Sequence, residues 1–280
     1  MSEWRRFIAS RRAFAGALLV VALSAAALLA PVLGLYDPDA QRTGGRLEPP
    51  NWRHPMGTDT FGRDVWSRTV WGGRVSQPIG LLSMAVSVSV GVMVGGLAGF
   101  YGGRADGTLM RLTEIVITFP TFFLLLTLVA VFGASLPLLI LAIGLTSWPI
   151  TARVVRAEFL ALREREFVTA AAAMGAGGLR LIARHILPNV VPVIIVAATL
   201  RVAYVILIEA GLSYLGVGVP PPTASWGGMV ADGAPFLFRA WWVSFFPGLF
   251  IFLTVMAYNL VGDGLRDAFD PTRLTRSPDA

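Results

Sequence analysis

Cysteine and lysine are both absent from this 280-residue chain. Without cysteine there is no disulfide framework, no thiol nucleophile and no thiolate metal site. Without lysine there is no Walker A loop, because that loop needs a lysine to reach the nucleotide phosphates. If the work of this protein consumes ATP, another polypeptide hydrolyses it. Histidine is nearly missing too: His54 and His185 are the only two, far apart, and there is no H-E-x-x-H. No G-x-S-x-G appears, and the acidic residues hug the ends of the apolar runs rather than pairing inside them. An intramembrane enzyme of the zinc, serine or aspartyl type is therefore a poor reading. Charge itself is scarce, at 14% of residues against roughly 25% in a soluble domain.

What is present is apolar. Hydrophobic residues make up 55% of the chain and the mean hydropathy is +0.67, which places it among all-α integral membrane proteins. A bilayer core of about 30 Å takes about 20 apolar residues per helix. Six spans follow: residues 13–35, 75–103, about 115–133, 137–156, 189–212 and 241–262. The uncharged run 115–152 is too long for one helix, and "FGASLP" (Phe132 to Pro137) breaks it into a hairpin. The organisation is then a first helix within 1–35, an external loop 36–74, a five-helix core 75–262 and a tail 263–280. A signal peptide at the start is disfavoured because the apolar run exceeds a usual h-region. Gly95 and Gly99 form a G-x-x-x-G pair, which lets helix backbones approach closely. Ordinary bundle packing explains that pair better than a pore lining.

The formal net charge of +6 is carried by arginine alone. Those arginines sit in short runs beside apolar segments, the pattern of topology determinants, so no nucleic-acid partner is expected. With six spans and an inside N-terminus, 15 arginines fall on inner segments and 7 on outer ones. The positive-inside rule puts both termini in the cytoplasm. The outer loop is arginine-rich, partly offset by Asp37, Asp39, Glu48, Asp59 and Asp64.

One stretch does not suit a lipid-embedded chain: "REREFVTAAAAMGAGGLRLIARHILPNVVP", Arg163 to Pro192. From Glu164 to Met174 it holds strong helix formers with small side chains. A helix with an alanine face can sit deep in a groove. "GAGG" (Gly175 to Gly178) breaks it. From Leu179, apolar Leu179, Ile182, Ile186 and Leu187 recur at helical spacing, with Arg180 and Arg184 elsewhere. That predicts an amphipathic helix on the inner membrane surface, ended by Pro188. Helix, break and interfacial helix make a projecting lever, which a merely solvated loop does not require.

This insert resembles the cytoplasmic EAA loop of binding-protein-dependent ABC importer permeases, with pattern E-A-A, three residues, G, nine residues, I-x-L-P. Ala170, Ala171, Gly175, Leu187 and Pro188 fall on it. Thr169 replaces the glutamate and His185 the isoleucine, and Glu166 one turn earlier is the candidate substitute charge. "GTDTFGRDVWSRTVWGGRVS" (Gly57 to Ser76), "EAGLSYLGVGVPPPTASWGGMVADG" (Glu209 to Gly233) and "NLVGDGLRDAFDP" (Asn259 to Pro271) narrow the resemblance to C-type permease subunits of dipeptide, oligopeptide and nickel importers.

The resemblance implies a type I importer fold in a bacterial or archaeal inner membrane, with no enzyme activity or cofactor on this chain. It implies a heterodimer with a B-type permease, two ATPase subunits carrying ATP and Mg, and an external solute-binding protein. It also implies that the EAA loop, about residues 157–188, couples the ATPases to transport through Glu164, Glu166, Thr169, Ala170, Ala171, Gly175, Leu187 and Pro188. A bulky residue at Gly175 is expected to uncouple the two. Cargo is expected to be peptide, with nickel chelates or oligosaccharides as alternatives. A passive channel is a more distant alternative that leaves the lever unexplained.

Two residues are weighed on bilayer physics alone. Arg201 lies near the middle of the fifth span, where charge is costly. It is expected to face a translocation path or a partner permease near an acidic group, with snorkelling as the competing reading. Glu209, two turns on, is a candidate path residue or a cap for local backbone. His54, Asp59 and Asp64 read as parts of a structured external loop rather than a metal site. "VPPPTASWGG" (Val219 to Gly228) reads as a proline turn with an interfacial tryptophan.

Overall fold

The computed structural model describes residues 7–269. Arg5, Arg6, Pro271, Arg273, Arg276 and the rest of the tail from 270 lie outside the described residues. The described residues are helical, with one isolated bridge between Thr58 and Asp64. The helices are α1 (Arg11–Leu28), α2 (Ala30–Leu33), α3 (Val65–Tyr101), α4 (Gly103–Thr118), α5 (Thr121–Phe132), α6 (Leu136–Arg163) and α7 (Glu166–Ala173). There follow α8 (Gly178–Arg180), a π turn (Leu181–Ile186), α9 (Leu187–Tyr214), α10 (Trp226–Gly233), a 3₁₀ turn (Ala234–Phe236) and α11 (Trp242–Phe269). Five helical runs are long and apolar enough to cross a membrane, and six if the bent α4–α5 pair counts as one span.

The centre of the bundle is the pairing of α3 with α6. Glycines at four-residue intervals on α3 make it close. A Cβ on Gly91 would lie 2.6 Å from the Thr151 side chain, and one on Gly99 would lie 2.6 Å from Phe159 Cβ. One on Gly95 would run into the Ala152 carbonyl. Small residues are what allow such an approach, since between lipid-immersed helices the attraction is contact packing. Helix α9 packs on α3, α6 and α11, and α1 lies against α11 and α3.

The second span starts ten residues earlier than charge placement predicts. Asp64 caps α3: its carboxylate accepts from the Ser67 N–H and the Ser67 hydroxyl, both at 2.7 Å. Such a cap satisfies backbone donors that the first turn leaves open. Arg74, the limit of the uncharged run, and Arg68, expected in the external loop, are both inside the helix. Arg68 is buried and donates to the Pro38 carbonyl at 2.9 Å. At 37 residues, α3 is about 55 Å long and projects beyond a bilayer.

The third span is bent rather than straight. Helices α4 and α5 meet at 79° across Phe119 and Pro120. Phe119 is extended, with φ −77° and ψ 126°, because a residue before proline is driven out of the helical region.

The external loop is a folded layer. Leu47 N–H donates to Asp59 O (3.1 Å) and Thr58 N–H to Glu48 O (3.0 Å). His54 Nδ1 lies 2.8 Å from Asp64 Oδ1 in a buried pair, so this histidine braces the cap of α3. Trp242 donates its indole N–H to the Thr58 carbonyl at 3.2 Å and locks the loop onto α11. Trp226 is not interfacial: it is 1% exposed and donates from its indole to the Thr69 carbonyl at 2.8 Å. The cause is its place at the first turn of α10, which Ser225 caps and which wedges between α3, α9 and α11.

Candidate functional site

The insert occupies the end of the bundle opposite this layer. Arg163 closes α6 and donates to the Phe100 carbonyl at 2.9 Å, so the ends of α3 and α6 lie together there. Ser24 near the end of α1 bonds Gln77 near the start of α3 at 2.9 Å. The described N-terminal segment therefore also lies at the insert's end, beside the final turns of α11 through Phe7, Ala13 and Ala268.

Helix α7 forms because alanines follow an acidic first turn. Glu166 sits where the helix dipole favours negative charge, and Arg165 precedes it in extended conformation. The helix stops in a Schellman motif. Ala176 N–H donates to Ala171 O at 3.1 Å, and Gly175 N–H to Ala172 O at 2.9 Å. Gly175 takes φ +87°, the left-handed value such a stop demands and that glycine adopts at no steric cost. No atom lies within 4 Å of a Cβ built there. The glycine is required for backbone conformation, not for space.

One face of α7 is anchored. Val168 and Ala171, each 3% exposed, pack with Val155 and Phe159 of α6, Leu181 and Ile186 of the π turn, and Val190 of α9. One apolar cluster thus ties α7 to both α6 and α9. The other face is open: Glu166, Thr169, Ala170 and Ala172 are exposed, as is Glu164 just before them. Phe167 (44% exposed), Met174 (83%) and Leu179 (79%) flank them. Exposed apolar side chains of this size, when they form a patch, mark a contact with protein or membrane. Thr169, at the position of the pattern's glutamate, spends its hydroxyl on the Glu166 carbonyl at 3.0 Å within its own helix.

The interfacial helix ended by Pro188 is not observed. Leu187 N–H donates to Ile182 O, five residues back, and the chain runs on from the π turn into α9. Pro188 and Pro192 cannot donate to the carbonyls four residues before them. A wider turn immediately before Pro188 accommodates its missing donor within a continuous helix, and Asn189 Nδ2 donates to the neighbouring His185 carbonyl at 2.7 Å. The register shift makes Leu181 and Ile186 the buried pair, leaves Ile182 and Leu187 partly buried beside them, and turns Leu179 outward. Pro188 is exposed.

A contact the sequence reading missed steadies the base of the lever. Arg156 Nη2 donates to Asp106 Oδ2 at 2.6 Å, joining α6 to the start of α4 across 50 positions. The pair lines an open cavity of about 650 Å³ with Met110, Arg111, Glu114 and Arg153. Only the position of each residue at a span end hinted at it.

Among the described residues, Arg201 has no acidic neighbour. Its guanidinium meets the Ser147 carbonyl of α6 at 3.1 Å and the Tyr204 ring at 4.6 Å. The expected carboxylate is absent because the acids of this chain cluster at the helix ends. Glu209 is 1% exposed and accepts from the Ser213 hydroxyl at 2.8 Å, which itself accepts from the Val219 N–H at 3.2 Å. It steadies the turn after α9 through Ser213 rather than capping backbone directly. At that same end Asp59 bonds Arg63, and Asp232 lies 3.6 Å from Arg63. Burial pushes the Asp232 carboxyl above its ordinary range, while Arg63 and Arg68 pull it back.

Three comparisons bear on this architecture. Residues 91–274 match the family described as binding-protein-dependent transport system inner membrane component. Residues 3–50 match the N-terminal TM domain of oligopeptide transport permease C. A chain of Brucella suis biovar 1 named as a peptide permease is 43% identical over 268 residues, 95% of this chain and 89% of that one. The di/tripeptide transport system permease protein DppC of Pseudomonas aeruginosa is 42% identical over 274 residues, 96% and 90% of the two chains. Among solved structures, a chain of the inward-facing MetNI methionine ABC transporter superposes with TM-score 0.59 at 20% identity, covering 72% of this chain and 97% of that one.

Proposed function

This chain belongs to the family of binding-protein-dependent transport system inner membrane components, and from that premise we propose that it is the C-type half of a peptide importer whose power stroke enters through α7. It is a multi-pass membrane permease subunit. The relatives named for peptides and for di- and tripeptides support peptide as cargo. ATP and Mg belong to two partner ATPases, in keeping with a chain that has no lysine for a phosphate loop. A B-type permease completes the path, and a solute-binding protein docks on the layer formed by residues 36–64 and α10.

The observation that carries the reading is the two-sided nature of α7. Val168 and Ala171 tie it to α6 and α9, while Phe167, Ala170, Met174 and Leu179 face away from the bundle. A motor gripping the open face moves two spanning helices at once. Glu166 supplies the negative charge nearest to the position that Thr169 leaves neutral.

The absence of cysteine makes the test clean. Ala170→Cys in the assembled complex is expected to crosslink to an ATPase subunit carrying an engineered cysteine, with a yield that changes when ATP binds. A crosslink that forms only with the solute-binding protein, or none in a transport-competent complex, refutes the assignment.

A further inference from the structure

We propose that Arg201 is a mid-membrane station for the C-terminal carboxylate of a peptide in transit, a binding role that rests on the peptide reading above. Arg201 is the fifteenth of the 28 residues of α9, about 20 Å along the helix from Leu187. That is the middle of a span. A guanidinium presents five N–H donors in a rigid fork. Here one of them, on Nη2, reaches the Ser147 carbonyl, while Nε is buried with no acceptor. The Ser147 hydroxyl, on the residue that receives Arg201, is also buried and unpartnered. Ion pairs among the described residues lie toward the ends of the bundle, around Asp59 and Asp64 at one end and Asp106 and Glu114 at the other.

The cation is therefore uncompensated among the described residues, and it is not enclosed. Arg201 is half-buried, and Tyr204, over whose ring its Cζ lies at 4.6 Å, is 40% exposed. A half-exposed arginine at this depth faces a wet cavity or a polar partner rather than acyl chains. The stacked tyrosine holds the plane of the fork, and a planar fork matches a carboxylate through two parallel hydrogen bonds. Peptides bring such a group, ionised at neutral pH because a terminal carboxyl titrates near 3.5. The tyrosine face and the terminal N–H groups on the exposed side of the guanidinium, rather than the buried Nε, make a transient site: charge attracts the terminus, and the absence of further anchoring groups lets it leave.

The test uses the full complex in proteoliposomes with trialanine and its C-terminal amide as paired cargoes. The solute-binding protein is identical throughout, so a change in the acid-to-amide uptake ratio between variants reports the permease. Arg201→Gln is expected to lower that ratio about tenfold, equivalent to about 1.4 kcal/mol. Arg201→Lys, which keeps the charge but not the fork, falls in between. An unchanged ratio in both variants overturns the proposal. So does loss of the B-type permease from the purified Arg201→Gln complex, which would assign the missing carboxylate to that subunit. Import of trialanine by the wild-type complex checks the cargo reading separately; if neither cargo moves, that reading fails and takes this one with it.

Discussion

At residue scale, Gly175 separates two explanations of why a glycine stands there. A bulk argument says that any larger residue clashes. The structure says that space is open and that φ +87° is the constraint. A non-glycine residue in left-handed backbone costs roughly 1–2 kcal/mol, and asparagine bears it best. Gly175→Val is therefore expected to fray the end of α7 and reduce peptide imported per ATP hydrolysed, whereas Gly175→Asn retains most of it. Equal loss in both variants would restore the steric account. Thr169 teaches the complementary lesson. Its departure from the pattern was legible in the sequence, but the use of its hydroxyl on its own helix was not, since a hydroxyl's partner depends on rotamer and local backbone.

Elements add what single residues cannot show. The G-x-x-x-G spacing in α3 predicted close packing without naming a partner, because spacing identifies a face and not what lies across it. The partner is α6, and the tightest point is Gly95 against Ala152. Gly95→Leu is expected to force the helices apart and lower the thermal unfolding midpoint of the purified complex, an overpacking cost of about 1–3 kcal/mol. Gly107→Ala, on an exposed face of α4 with nothing within 4 Å, serves as the control and should leave the midpoint in place or raise it. The Asp106–Arg156 pair is partly exposed, so it is expected to contribute on the order of 1 kcal/mol or less. A double-mutant cycle with Asp106→Asn and Arg156→Gln measures it directly. A larger coupling energy would mean that α4 is a rigid arm rather than a hinged one.

At the scale of the whole molecule, the two ends of the bundle are unlike. One carries a folded loop layer pinned by Trp226 and Trp242. The other carries α7 and both described chain ends. Arginine asymmetry predicts that the α7 end faces the cytoplasm. Single cysteines at Ala170 and Phe238, the latter fully exposed, are expected to react with a membrane-impermeant maleimide from opposite sides. Only Phe238→Cys should label in intact cells, and only Ala170→Cys in inside-out vesicles. Labelling of both from one side would overturn the topology and the coupling role with it.

The amino-acid sequence alone determined that the protein is helical and membrane-spanning, where its apolar segments lie, that it carries no phosphate loop, and that Arg163 to Pro192 is a foreign body among them. Those properties are sums or periodicities along the chain, and hydropathy and propensity are local. Only the tertiary structure decided where α3 begins, that the third span is bent, that the π turn merges the insert into α9, that Trp226 is buried, and that Arg201 lacks a carboxylate. Each of these depends on what a polar group meets across space. Arg74 reads as a span boundary until Asp64 is seen to cap α3 ten residues earlier, and Arg201 reads as half of an ion pair until its described surroundings are seen to lack the other half.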